Sequence, residues 1–190
     1  MGKIILGSSS PRRSDILKQL NLNFEIIPSS YVEPHDQTVF SYDFVEKLAY
    51  NKALNVAKQI KEAALVIGAD TIVVIDNKIL GKPKDKKEAV NMLHSLSGKT
   101  HFVVTSIAVI NTKNLKAKIK STTTYVTFEH LTEEQINYYI DNYQPYDKAG
   151  AYGIQELPDG YIKEIHGSVD NVIGLPSKTL LELLKDDYEN

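Results

Sequence analysis

Two runs rich in Val, Ile and Thr, residues 101–110 and 116–128, are separated only by Asn111 to Leu115. β-Branched runs around a short polar break predict a long antiparallel strand pair. Any fold open to this chain has to hold that ribbon. Lys3 to Gly7 and Phe24 to Ile27 read as further short strands. Ala64 to Ala69 reads as a buried strand that ends at Asp70, followed by a hairpin, Ile72 to Ile75 and Lys78 to Leu80, turning at Asp76-Asn77. Gly160 to Ile165 reads as a last strand. Ser10-Pro11 has the form of an N-cap followed by proline in the first turn, with Ile16, Leu17 and Leu20 on the apolar side of that helix. A longer helix covers about Tyr42 to Ile60, after a polar loop at 28–38. Asp85 to Leu96 opens with a variant capping box at Asp85 and Glu88, and Thr132 to Tyr143 with one at Thr132 and Gln135. Pro176 to Leu184 is a final helix. Helices mixed with strands in this way imply an α/β fold whose mixed, partly antiparallel sheet is flanked by helices. The 190 residues show no repeat, low-complexity tract or linker, so one domain over 1–190 is expected.

Composition narrows the function classes. The formal net charge is -2, which lacks the basic excess of a nucleic-acid coat or a membrane-surface protein. There is no cysteine, which removes disulfides, zinc–thiolate sites and cysteine nucleophiles together. The short apolar run after Met1-Gly2-Lys3 does not make a signal peptide, and nothing approaches the ~18–20 apolar residues of a span. A cytoplasmic soluble protein with no nucleic-acid or membrane partner is expected.

Five places break local rules. Ser8-Ser9-Ser10-Pro11-Arg12-Arg13 puts two arginines in the first turn of a helix, where each costs about 0.3–1 kcal/mol unless an anion neutralises it. A bound phosphate would do so, and the planar guanidinium suits its oxygens; two solvated arginines explain the pattern about equally well. Lys52 falls four residues after Leu48 and four before Val56, on the buried stripe of its helix. A buried ammonium needs a partner, although periodicity alone slightly favours a lysine snorkelling from the stripe's edge. Asp70, in Gly68-Ala69-Asp70-Thr71, stands where a strand would leave the core for a ligand crevice, positioned to hold Mg²⁺ or polarise water; a turn-forming aspartate is the plainer alternative. Gly81-Lys82-Pro83 projects a point charge from a fixed turn, a weak signal by itself. Asp147 to Gln155 carries two glycines, a tyrosine and an amide, which can shape a pocket for a planar base or simply lead a loop to the next strand.

Other matches fail. Ser97-Gly98-Lys99-Thr100 imitates the end of a P-loop, but position 93 is Leu93 and the segment follows a helix. The histidines, His35, His94, His101, His130 and His166, show no metal spacing, and no G-x-S-x-G elbow occurs. Two arginines, two lysines, Asp70, Glu33 and a glycine-bearing loop together point to a polyphosphate, a divalent metal and direct attack by water.

The segments SSSPRR (8–13), GADTIV (68–73), GKP (81–83), LSGKTH (96–101), DKAGAYGIQ (147–155) and VIGLP (172–176) resemble the Maf family of nucleoside triphosphate pyrophosphatases in order and spacing, from end to end of the chain. The resemblance implies a fold similar to the inosine triphosphate pyrophosphatases, with two lobes around a deep cleft. It implies cleavage between the α and β phosphates with a divalent cation, Mg²⁺ or Mn²⁺. Asp70 matches the family's proton acceptor. Ser8, Arg13, Lys52 and Lys82 match positions that hold the triphosphate, and Glu33 an acidic residue near the metal. Arg12, Thr71 and Gln155 match positions tied to substrate choice. The GAYGIQ form resembles the branch acting on dTTP and UTP; the branch acting on 7-methyl-GTP, the near alternative, carries a serine-containing segment after its DKAG. Gly7 stands where alanine is commoner, and Asn171 precedes VIGLP. A nucleotide-binding regulator of cell division without turnover and a nucleic-acid-binding module are the readings from other classes. A homodimer would be common for a small enzyme of this kind.

Overall fold

In the computed structural model, which describes residues 2–34 and 37–185, the elements run β1 (Lys3–Leu6), α1 (Pro11–Gln19), β2 (Phe24–Ile26), α2 (Tyr42–Ala57), β3 (Ala64–Ile75), β4 (Lys78–Leu80), α3 (Lys86–Leu96), β5 (Thr100–Asn111), β6 (Ala117–Phe128), α4 (Glu133–Tyr143), β7 (Ile162–His166), α5 (Val169–Ile173) and α6 (Ser177–Lys185). Single 3-10 turns lie at Pro145–Asp147 and Ala149–Ala151. His35 of the sequence reading lies outside the described residues. The sheet has the order β2-β1-β3-β5-β6-β7, with β4 also on β3. β1 is parallel to β2 and β3, while the β3–β4, β3–β5, β5–β6 and β6–β7 pairs are antiparallel. The sheet is therefore mixed, with helices on its faces, as the alternation of elements predicts.

One correction matters for the site. Strand β3 does not end at Asp70: it runs unbroken through twelve residues to Ile75. Partner β5 accompanies it from Leu65 to Val74, so the ladder bridges the point where the apolar run is interrupted. On its other edge β3 pairs with β1 from Ala64 to Ile67 and with β4 from Val73 to Ile75. Between those stretches that edge has no strand against it among the described residues, and Asp70 and Thr71 lie in the gap.

Alternation along β3 sends Leu65, Ile67 and Ala69 into one apolar cluster with Leu17 and Leu180, and Val73 and Ile75 into another with Leu93 and Ile140. On the opposite face Val66 packs with Ala49, Ala53 and Val56 of α2, and Ile72 and Val74 with Val45. On both faces the packing changes partners at the same level, where the sheet carries polar residues: Asp70 opposite Ser106, and Thr71 opposite Thr105. Burying each large aliphatic side chain contributes about 1.5–3 kcal/mol, so the apolar clusters stabilise the two halves of the strand and the polar row between them does not.

The ends of the elements also differ from expectation. Helix α2 stops at Ala57, not Ile60, because the amides of Gln59 and Ile60 bond three residues back, to Val56 and Ala57, and tighten the last turn. β7 starts at Ile162, since Gly160 has φ +84° and Tyr161 closes a turn onto Pro158. Ser10 occupies the N-cap of α1 without a side-chain cap; Ser8 Oγ instead accepts the Ser10 amide at 3.2 Å. The Asp85 box is half-formed: Asp85 accepts the Glu88 amide, but Glu88 reaches the Lys84 amide. Thr132 and Gln135 form both bonds of theirs. Helix α5 carries no apolar period long enough to announce itself and was not expected from the sequence.

Gly68 lies directly under the backbone of α2. A Cβ there would stand 2.5 Å from Ala49 O and from Ala53 N, both backbone atoms. Backbone cannot swing away as a side chain can, so overpacking is expensive. We expect Gly68→Ala to lower the unfolding free energy by about 2–3 kcal/mol, read by urea denaturation; an unchanged midpoint would mean that α2 does not rest on the strand.

Candidate active site

Lys52 projects from α2 toward the middle of β3. Its ammonium pairs with Asp70, and at 2.6 Å with Glu33 from the loop after β2. The lysine side chain is 15% exposed and that of Asp70 9%, so the pair is a largely buried one rather than a snorkelling lysine, contrary to what periodicity alone favours. Burial pushes the Asp70 carboxyl above its ordinary range; Lys52 opposes the shift, and Glu33 adds to it. Beside Asp70 in the polar row, Ser106 Oγ and Ser121 Oγ are 2.6 Å apart, and Ser121 donates to Glu46 of α2 at 2.8 Å.

Arg13 reaches the same level from α1. Its Nε donates to Gly174 O at 2.8 Å, and Nη1 and Nη2 donate to Ser8 Oγ and Thr71 Oγ1, each at 3.2 Å. Burial lowers its pKa, while Asp70 and Glu33 favour the charged form. Arg12, one residue earlier, points instead to Asp147 at 3.2 Å. Burial alone would raise the Asp147 carboxyl, but hydrogen bonds from Lys148 and Arg12 outweigh it and hold the group low.

The loop after α4 is braced on three sides. The Gly150 amide donates to Gly81 O at 3.0 Å, the Gly153 amide to Tyr139 Oη at 3.0 Å, and Tyr152 Oη meets His101 Nε2 at 2.7 Å. His101 is buried, which depresses its pKa to about 4 and keeps the imidazole neutral. Lys148, 8% exposed, is held between Asp147 at 2.8 Å and Glu156 at 3.0 Å. These bonds leave Gln155 exposed at the loop's surface.

The residues singled out in the sequence thus fall into groups. Ser8 and Thr71 both meet Arg13, Glu33 and Asp70 both meet Lys52, and the charges of Arg13 and Asp70 act on each other. Arg12 joins the loop through Asp147. Lys82 is exposed and makes no contact with these groups, although the backbone of Gly81 ties its turn to the loop. Two buried groups were not singled out. Lys148 is hidden inside a motif read for its glycines, and Asn171 stands out only as the residue before VIGLP; a lone lysine beside Asp147 and a lone asparagine beside apolar residues are the signals for them.

Carboxylates of Asp70 and Glu33 already converge on one cation, the Lys52 ammonium. No cluster of three or more His, Asp and Glu side chains fit to hold a metal occurs among the described residues. Two hard oxygen donors without a closed cage fit a Mg²⁺-type ion completed by substrate phosphates and water. No helix among the described residues is long and apolar enough to cross a membrane.

Against known families, residues 3–187 match the model of the Maf-like proteins. This chain belongs to the Maf family. It is 47% identical to the dTTP/UTP pyrophosphatase of Acetivibrio thermocellus over 98% of this chain and 96% of that one. It is 48% identical to the dTTP/UTP pyrophosphatase of Clostridium novyi, over 97% of both. Among solved structures, a HAM1 protein from Coxiella burnetii superposes with a TM-score of 0.54 at 18% identity, covering 98% of this chain and all of that one, which shows a shared fold.

The opposition of burial and ion pairing at Asp70 has a measurable consequence. Because its pKa is raised on folding, Asp70 contributes stability below its unfolded value and loses it as pH rises through the folded one. Carbon-13 titration of the Asp70 carboxyl should place it above an exposed aspartate, and Lys52→Met should raise it further; a fall in that variant would contradict the geometry.

Proposed function

We propose that this chain hydrolyses dTTP and UTP to the monophosphate and pyrophosphate, removing nucleotides from the pool, with Asp70 as the base that activates water. The observation that carries the reading is the buried Asp70 carboxylate, paired with Lys52 and within the field of Arg13. The relatives named as dTTP/UTP pyrophosphatases match nearly the whole chain and supply the substrate class.

The polar row explains how these residues would act. Arg13 and Ser8, with the uncapped amides of α1, face the triphosphate, and Lys82 approaches from its turn beside the loop. Positioning and charge stabilisation are most of what phosphoryl transfer requires from a protein. Burial makes Asp70 more basic than a solvated carboxylate, while the Lys52 ammonium favours its charged form. Asp70 takes the proton as the water oxygen bonds the α-phosphorus, and the bond from that phosphorus to the bridging oxygen breaks to release pyrophosphate. Asp70 and Glu33 would hold the divalent cation, Mg²⁺ or Mn²⁺, whose charge offsets that of the phosphates. Arg12, Thr71 and Gln155 select the base, with Gln155 offering a donor and an acceptor to the pyrimidine edge.

The GAYGIQ segment favours dTTP and UTP over 7-methyl-GTP, and a carboxylate buried beside cations favours turnover over binding alone. Two outcomes test the assignment. Asp70→Asn should reduce kcat with dTTP by about 10²–10⁴-fold in a pyrophosphate-release assay while the far-ultraviolet circular dichroism stays unchanged; near-normal turnover would remove Asp70 from the role. Gln155→Ala should flatten the order of kcat/KM among UTP, dTTP and GTP, and an unaltered order would assign base choice elsewhere.

A further inference from the structure

We propose that Thr105 and Asn171 are positioning residues: they fix the direction of a hydrogen-bond chain that ends on Arg13 and so set the guanidinium that grips the phosphates. The inference deepens the pyrophosphatase reading and rests on it.

Asn171 is 0% exposed, on α5. Its Oδ1 accepts the Thr105 amide at 3.2 Å, and its Nδ2 donates to Val103 O and to Thr124 Oγ1, each at 3.0 Å. Both amide protons are therefore committed. Turning the carboxamide over would set its NH₂ against an N–H and its oxygen against a carbonyl, so a single orientation is allowed. The main-chain carbonyl of Asn171 accepts the Thr105 hydroxyl at 2.8 Å.

A hydroxyl has one proton. That of Thr105 is committed to the Asn171 carbonyl, so in the 2.8 Å contact between Thr71 Oγ1 and Thr105 Oγ1 the donor is Thr71. The proton of Thr71 then points away from Arg13, and its oxygen faces Nη2 as an acceptor. The chain runs in one direction only, from Arg13 Nη2 to Thr71, to Thr105, to the carbonyl of Asn171. The residue that ends the same short helix holds the other side of the arginine, because Gly174 O accepts from Nε. Gly174 has φ +127°, a conformation that L side chains rarely adopt, so glycine lets the chain turn at this corner without strain. Without the Thr105 acceptor, the Thr71 proton is free to turn toward Arg13 and displace its N–H.

Thr105→Val keeps the shape and removes the hydroxyl; Thr105→Ser keeps the hydroxyl. We expect Thr105→Val to raise KM for dTTP about tenfold with kcat within about threefold of wild type, and Thr105→Ser to stay within about twofold. A second readout is independent of turnover: the nitrogen-15 side-chain Nε–H signal of Arg13, assigned by its loss in Arg13→Lys. It should exchange slowly with solvent in the wild type and in Thr105→Ser, and rapidly in Thr105→Val. Wild-type values of both KM and exchange in Thr105→Val would overturn the proposal, as would equal damage in the Val and Ser variants, which would mean packing alone. If the wild type releases no pyrophosphate, the enzymatic reading fails, and the exchange comparison still decides whether Thr105 orders Arg13. Should Thr105→Val not fold, Thr71→Val breaks the same chain one link closer and is read by the Arg13 exchange alone, where rapid exchange supports the chain and wild-type exchange overturns it.

Discussion

At Gly68 the backbone of a helix lies on the backbone of a strand with no side chain between them. This contact sets the height of α2 above the sheet. Lys52, one turn beyond Leu48 on the helix, then reaches Asp70, two residues beyond Gly68 on the strand. With a larger residue at 68 the ammonium would withdraw and leave a buried carboxylate unpaired, an arrangement that costs several kcal/mol. The electrostatics of the site thus follow from a packing constraint outside it.

The second organising feature is a polar row laid across strands that continue on both sides. A sheet broken at that point would let the two apolar halves shift relative to each other; β3 and β5, paired from Leu65 to Val74, hold them in register. The row needs partners because buried polar groups are costly unless they are bonded. On one face these are Lys52 and Glu46, and on the other Arg13 and Asn171. Among the described residues, the gap in strand pairing on that edge of β3 falls at the same row, beside Asp70 and Thr71. Charge, hydrogen-bonding capacity and a break in strand pairing therefore coincide at one level of one strand.

Most of the fold was legible because it rests on patterns that have a period. The β-branched runs gave the β5–β6 ribbon, and the box at Thr132 and Gln135 gave the start of α4. The end of β3 was misplaced because a charged residue inside an apolar run looks like a strand terminus, and only the partner strand shows that it is not. Helix α5 was missed because five residues hold less than two turns. The candidate site was legible residue by residue, in the serines and arginines at 8–13, Lys52 and Asp70. Its connections were not: Asn171 lies 66 residues from Thr105, and Arg13 lies 58 from Thr71. Hydrogen-bond partners so far apart in sequence leave no local pattern, so an asparagine that ties β5 to β6 shows in the sequence only as the residue before VIGLP.

The role of Asp70 depends on which phosphorus the activated water attacks. Hydrolysis of dTTP in oxygen-18 water, followed by mass spectrometry of the products, tests that directly. One labelled oxygen in the thymidine monophosphate and none in the pyrophosphate is the predicted result. Label in the pyrophosphate, or release of inorganic phosphate instead, would contradict attack at the α-phosphorus and with it the role given to Asp70.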